Sequence, residues 1–364
     1  MTSTFSQLVI TEYCLIITAS LTRSFSRPIS SLGLSHLIAP PPTPSANSKP
    51  RVWSLSLFED FLPTGIFGFS PRLATIILPL AVTHTSKLIF TYLSFAWTLR
   101  PVWNLSRSIT IPITVLCTYI FANQNPPLSV TTLSSTLTIT FAVAIVSIRP
   151  PWLFTWEGIV SGICSAFLAA AEPVVLITTF RRILAYNSPN QNPSSEPITV
   201  PTSFHGDDKS LSRSHYHLMH YTTILSALLI LPWVFISGEA GDISRNCYIL
   251  DIAGFWMLML VQGLVFYAQF LGFWILIKTT SPLTGNVVAE GIQVIFQAIV
   301  LGGFGMHEWG WMGAMTGLGA GVWYMLGRRR ECGIRLWGST EPGEDVLWDG
   351  ERRDEENEEE FLVN

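Results

Sequence analysis

The sequence predicts an all-α integral membrane protein, a bundle of about eight strong transmembrane helices, on three observations. Hydrophobic residues make up 49% of the 364 and charged residues 13%, with a mean hydropathy of +0.40, which is more apolar material than one water-soluble core of this length takes. The apolar residues fall in blocks of spanning length, about 20 residues at about 1.5 Å each. Polar residues are set inside those blocks, above all Glu290 within KTTSPLTGNVVAEGIQVIFQAIVLGG at 278–303. A carboxylate at mid-helix costs roughly 2.5 to 3.5 kcal/mol by translocon scales, so an intramembrane Glu marks a candidate functional site with a partner facing it.

Taken in order, the first 21 residues are moderately apolar but lack a basic leader and carry Glu12, which argues against a cleaved signal peptide. Whether they span, lie on the surface or stay disordered is open at this level. SRPISS and APPPTPSANSKPR follow and read as a linker, and residues 52–70 as a short interfacial segment. The eight spanning blocks are 73–97, 102–121, 131–148, 154–180, 221–237, 252–277, 282–303 and 309–326. They organise the chain into an N-terminal tail and linker (1–71), a first half of four helices (72–186), a polar loop (187–218), a second half of four helices (219–327) and an acidic tail (328–364). Gly313, Gly317 and Gly321 form a small-residue stripe, read as a packing surface between helices, with a homodimer left open.

Charge gives the expected orientation. Arg51 and Arg72, then Arg181, Arg182, Lys209 and Arg213, then Lys278, then Arg328 to Arg330 all fall on one side of an eight-span chain, which makes the central loop and the C-terminus cytosolic. The net charge of −4 comes from acids after residue 331, closing in DEENEEEF at 354–361, and gives no reason to expect a nucleic-acid partner. The five cysteines are scattered without a CxxC and read as inert thiols. His205, His215, His217 and His220 precede the fifth block; lacking paired acids or thiols, they read as a solvated loop rather than a metal site. Neither metal nor cofactor is expected.

Several segments, in order, resemble the drug/metabolite transporter superfamily, in particular its triose-phosphate and nucleotide-sugar transporter branch. Thr279-Thr280-Ser281-Pro282-Leu283-Thr284 matches the hydroxyl-rich start of that branch's ninth helix, Thr91 to Phe95 the end of its third, Arg107 to Pro112 the opening of its fourth, Phe154 to Leu184 its sixth, and MGAMTGLGAGVWYMLGRRR its tenth. The resemblance covers roughly 73–330 and implies ten helices in two inverted five-helix repeats. Only eight are evident, so residues 5–21 and 52–70 are expected to stand in for the first two, or the chain to be truncated at its N-terminus. It also implies a phosphate-clamping lysine at the position held here by Ile292, with Gln293 beside it.

The intramembrane polar set supplies the candidate substrate site: Lys87, Tyr92, Arg107, Tyr267, Gln269, Asn286 and Glu290. In the functional reading Lys87 and Arg107 meet an anion, Asn286 and the tyrosines its hydroxyls, and Glu290 balances a cation, with Lys87 the expected partner. In the structural reading these groups, and Glu172, join neighbouring helices. The resemblance implies a non-enzymatic, antiporter-like secondary transporter that moves a sugar-containing or phosphorylated organic anion across a Golgi or endoplasmic-reticulum membrane. The alternatives are a transport-incompetent scaffold of the same fold and a membrane-embedded acyl or prenyl transferase, which would need an intramembrane His or a DDxxD-like carboxylate pair, whereas Asp207-Asp208 stands alone in a polar loop.

Overall fold

The computed structural model describes residues 2–26, 38–39, 67–121, 129–147, 155–187, 208–238, 253–302 and 308–332. Every regular element among them is helical: α1 Thr2–Ser24, α2 Pro71–Trp97, α3 Arg100–Arg107, α4 Thr110–Phe121, α5 Val130–Ser147, α6 Trp156–Asn187, α7 Asp208–Ile236, α8 Ala253–Thr279, α9 Pro282–Asn286, a π-helical turn Val287–Ile292, α10 Gln293–Gly302 and α11 Glu308–Cys332. Residues 1–324 form one compact unit and 325–364 a second, of which only the end of α11 is described.

Seven of these helical stretches are long and apolar enough to cross a membrane. The all-helical, multi-span architecture is as expected, but the spans are distributed differently. Thr2–Ser24 qualifies, whereas the block at 102–121 breaks into α3 and α4, each too short to span alone, and the glycine-rich α11 falls outside the seven. α6 runs on to Asn187, and α7 begins at Asp208, inside the segment read as polar loop. Residues 52–66 lie outside the described residues.

Polarity is distributed as lipid demands. Leu78, Val82, Phe141, Val160, Phe167, Met257 and Val300 are exposed, while Ser94, Thr110, Thr114, Ser135, Ser165, Glu172 and Asn286 are buried. In hydrocarbon an unpaired polar group costs several kcal/mol, so such groups turn inward to find partners. Several threonines of the helices return their hydroxyl to the preceding turn, as Thr114 does to the Thr110 carbonyl at 2.7 Å.

Helix starts follow local chemistry. Ser70 caps α2, its hydroxyl accepting from Leu73 N at 3.4 Å, with Pro71 in the first turn where no N–H is missed. Ser281 does the same for α9, accepting from Thr284 N at 3.2 Å ahead of Pro282. The SPLT stretch is therefore a helix cap, and Thr284 also ties it to Tyr324 of α11 at 2.9 Å.

α2 and α6 run antiparallel in close contact. Their register is fixed by Ser94 Oγ donating to the Gly158 carbonyl at 3.0 Å, the Thr91 and Ser165 hydroxyls at 2.8 Å, and His84 against Glu172 at 2.6 Å. Close approach depends on glycine: a Cβ on Gly158 would lie 2.1 Å from Thr98 Cγ2, and one on Gly162 2.1 Å from Ser106 Oγ. The Gly313, Gly317 and Gly321 stripe packs inside the chain, against Ile145 and Val146, against Ile295 and Ala142, and against Ile292.

α1 is a packed helix. It lies on α7 and α8, where Gln7 donates to Gln262 at 3.3 Å, Thr22 meets the Tyr216 hydroxyl at 3.1 Å, and Ile10 fills the space left by Gly263. Glu12 pairs with His220 at 2.5 Å. That contact overturns the solvated-loop reading for His215 and His220, which are buried on α7; the carboxylate that His220 needed stands 208 residues away in sequence, and His205 lies outside the described residues. Among the described residues no group of three or more metal-type ligands is gathered, and Cys14, Cys117 and Cys164 are free thiols.

Candidate functional site

Two helices are interrupted, and each brings one charge to the interruption. The first break separates α3 from α4 at Ser108 and Ile109, and Arg107 is the last residue before it. The second is the π turn, in which Gln293 N bonds back to Val288 O and the extra residue widens the helix around Glu290. Arg107 Nη2 donates to Glu290 Oε1, joining the two breaks across 183 residues of sequence. Both side chains are deep, 8% and 16% exposed, so neither charge would be tolerated there without the other.

The guanidinium has a second partner in the Trp103 ring, one turn earlier on α3, whose centroid lies 4.9 Å from Cζ. Three donors in this neighbourhood are buried without a hydrogen-bond partner: Arg107 Nε, Trp103 Nε1 and Thr110 Oγ1. Buried donors are ordinarily satisfied, so these three are open to a ligand or an ordered water beside the charge.

Asn286, one turn before Glu290, serves the backbone. Pro173 in α6 has no N–H, so the carbonyl four residues back, on Ala169, loses its helical partner. The Asn286 amide donates to that carbonyl at 3.0 Å and to Thr114 Oγ1 at 2.7 Å, tying α9 to α6 and α4. Glu172 stands three residues beyond Ala169, about 4.5 Å along the axis, and is the centre of the second charged cluster.

That cluster corrects the expected partnership of Lys87. Lys87 Nζ donates to Glu172 Oε2, His84 Nδ1 meets Oε1 at 2.6 Å, and Glu172 is 4% exposed. Lys87 therefore does not pair with Glu290: it lies on α2, facing α6, whereas Glu290 already holds Arg107. Phe266 and Phe270 of α8 pack their rings on His84, at 6.2 and 5.6 Å between centroids, closing the third side.

The other sequence candidates are dispersed. Tyr92 is an exposed residue of α2; Gln269 is exposed on α8, and Tyr267 is buried in the core shared by α1, α2, α6, α7 and α8. Of the seven, the structure brings Arg107 and Glu290 into contact and sets Asn286 one turn away. Sequence reading missed His84 and Trp103. Both carried a faint signal, since His84 is three residues before Lys87 and Trp103 four before Arg107, so each pair shares a helix face. Ile292, where the resemblance implies a lysine, packs toward the last helix, within 3.3 Å of a Cβ built on Gly321.

No family model matches the chain. Comparison with characterised proteins finds a GDP-fucose transporter 1 of Dictyostelium discoideum, 26% identical over 271 residues, covering 74% of this chain and 64% of that protein. A GDP-fucose transporter 1 of Monosiga brevicollis is 21% identical over 267 residues, 73% of this chain and 72% of that one. The chain is a relative of nucleotide-sugar transporters. A protein of Drosophila melanogaster named GDP-fucose transporter, Golgi, is 24% identical over 211 residues, 58% of this chain and 54% of its own length. The match spans less than two thirds of the Dictyostelium and Drosophila proteins. These relatives are transporters and not enzymes, in agreement with the expectation from the sequence and against the transferase alternative.

Proposed function

We propose that this nucleotide-sugar transporter relative is an antiporter-like secondary transporter of a nucleotide sugar across the Golgi membrane, with its C-terminus in the cytosol. GDP-fucose is the first substrate to try, because four relatives carry that name. The observation that carries the proposal is Arg107. A permanent cation, buried at the break between two half-helices and accompanied by unpartnered donors, is built to receive an anion. Its fork matches a phosphate bidentately once Glu290 releases it, and Trp103 Nε1 and Thr110 Oγ1 are donors available to the same ligand.

Lys87 is the second proposed cation, 20% exposed beside Glu172. Tyr92 and Gln269 are proposed for sugar or ribose hydroxyls only in second place, and Tyr267 and Asn286 chiefly as supports. The scaffold alternative draws its support from Ile292, an apolar side chain where the resemblance has a clamping lysine.

Counterflow separates the two. The purified chain is reconstituted into vesicles preloaded with GDP-fucose, other nucleotide sugars, triose phosphates or phosphoenolpyruvate, and uptake of labelled GDP-fucose is followed. Exchange is expected with a nucleotide sugar inside, and Arg107→Gln is expected to lower it at least tenfold. A folded preparation that exchanges no anion sinks the transporter reading and leaves the scaffold.

A further inference from the structure

Among the described residues, the two intramembrane cation–carboxylate pairs are matched internally. Arg107 is matched by Glu290 and Lys87 by Glu172, two cations against two carboxylates, each pair in direct contact between different helices. The carboxylate Glu12 likewise has His220 against it. Of the described elements around the π turn, the last helix, which meets it at Gly321, carries its charges at its two ends, Glu308 and Arg328 to Glu331. α5, α9 and α10 contain no ionisable residue, α4 contains only Cys117 and Tyr119, and α3 adds Arg100 two turns before Arg107. Glu290 is thus the group that neutralises Arg107 when no ligand is present.

A carrier returns empty only if its unliganded interior can pass through the closed, dehydrated form that lies between its two open forms. A lone guanidinium in that form is a naked charge in a low dielectric and blocks the return, so a carrier with only cations at its site is held to strict one-for-one exchange. Here the internal carboxylate takes the anion's place. We propose that Glu290 is a built-in substitute for the substrate's anionic group, and that it frees this protein from obligatory exchange: the empty carrier returns with Arg107 and Glu290 paired, and net transport of the anion follows. The inference rests on the proposed transport reading and deepens it. The same pairing makes Glu290 a competitor, since the incoming anion must displace it from Arg107.

The test compares uptake of labelled GDP-fucose into vesicles that are empty with uptake into vesicles preloaded with the unlabelled compound, and reads the ratio of initial rates. The wild-type protein is expected to fill empty vesicles at a rate within about threefold of the preloaded ones. Glu290→Gln, which keeps the shape and removes the charge, is expected to lower that ratio about tenfold or more, whatever its absolute exchange rate, because Arg107 is then uncompensated in the empty carrier. Should E290Q fail to fold, Glu290→Asp is used; withdrawing the carboxylate by one methylene is expected to give an intermediate ratio. Wild-type uptake that requires preloading overturns the inference while leaving the transport reading intact. A folded E290Q, or in its absence E290D, with the wild-type ratio also overturns it. No uptake under either condition overturns both.

Discussion

Glu172 accepts from Lys87 and meets His84 at 2.6 Å, and its side chain is 4% exposed. Replacing it with Gln keeps the shape and one carbonyl acceptor but leaves the Lys87 ammonium, 20% exposed, beside a neutral amide. Removing one partner of a buried pair costs about 3 to 5 kcal/mol; the residual exposure of Lys87 and the surviving hydrogen bond place this change at the lower end, about 3 kcal/mol. At roughly 2 to 4 °C per kcal/mol, the melting temperature in detergent is expected to fall by about 6 to 12 °C, read from tryptophan fluorescence or a thiol-reactive dye. The decisive variant is the double change Lys87→Met with Glu172→Gln, which removes the orphaned cation as well. It is expected to lose at least 1 kcal/mol less than the two single losses added together. Lys87→Met with Glu290→Gln is expected to be additive, because those residues hold different partners. Additivity for Lys87 with Glu172, or coupling for Lys87 with Glu290, would refute the assignment of partners.

Two further outcomes test the support of the site. Gly162→Ala places a methyl group 2.1 Å from Ser106 Oγ and 2.9 Å from its Cβ, so α3 is forced from α6 beside Arg107; a loss of about 1 to 3 kcal/mol for overpacking is expected, together with a fall in uptake larger than the stability loss explains, measured as initial rate per folded carrier. Asn286→Ala removes the donors to the Ala169 carbonyl and to Thr114; at about 0.6 to 1.7 kcal/mol per interhelical hydrogen bond in a bilayer, the loss is expected near 2 kcal/mol, and Pro173→Ala in the same chain should recover part of it by returning an N–H to Ala169. No recovery would show that the amide does not serve that carbonyl.

Much of the architecture was legible along the chain. The apolar blocks at 73–97, 131–148 and 252–277 became α2, α5 and α8 with small changes of boundary, because a run of about 20 apolar residues has few stable conformations other than a helix in lipid. Glycine spacing was equally readable: the 313, 317 and 321 stripe packs against neighbouring helices, as a row of missing side chains allows. α1 was left open, its apolar run and Glu12 arguing against a cleaved signal peptide without choosing between a span, a surface helix and disorder. It is settled by His220, a residue that composition alone placed in solvent.

What the sequence by itself determined is the class of molecule and the inventory of its interior: an all-helical membrane protein, with Lys87, Arg107, Glu172, Asn286 and Glu290 inside it as charges and amides too costly to leave unpartnered. Which of them meet was decided only by the tertiary structure. Lys87 reaches Glu172 over 85 residues and Arg107 reaches Glu290 over 183, and either carboxylate would have satisfied either cation on energetic grounds. The choice was made by backbone geometry: the glycine-bearing seam of α2 and α6 sets one register, and the paired breaks at Ser108 and at the π turn of Val287–Ile292 set the other. Side-chain chemistry demands a partner of opposite charge, and only the packing of helices brings a particular one within reach.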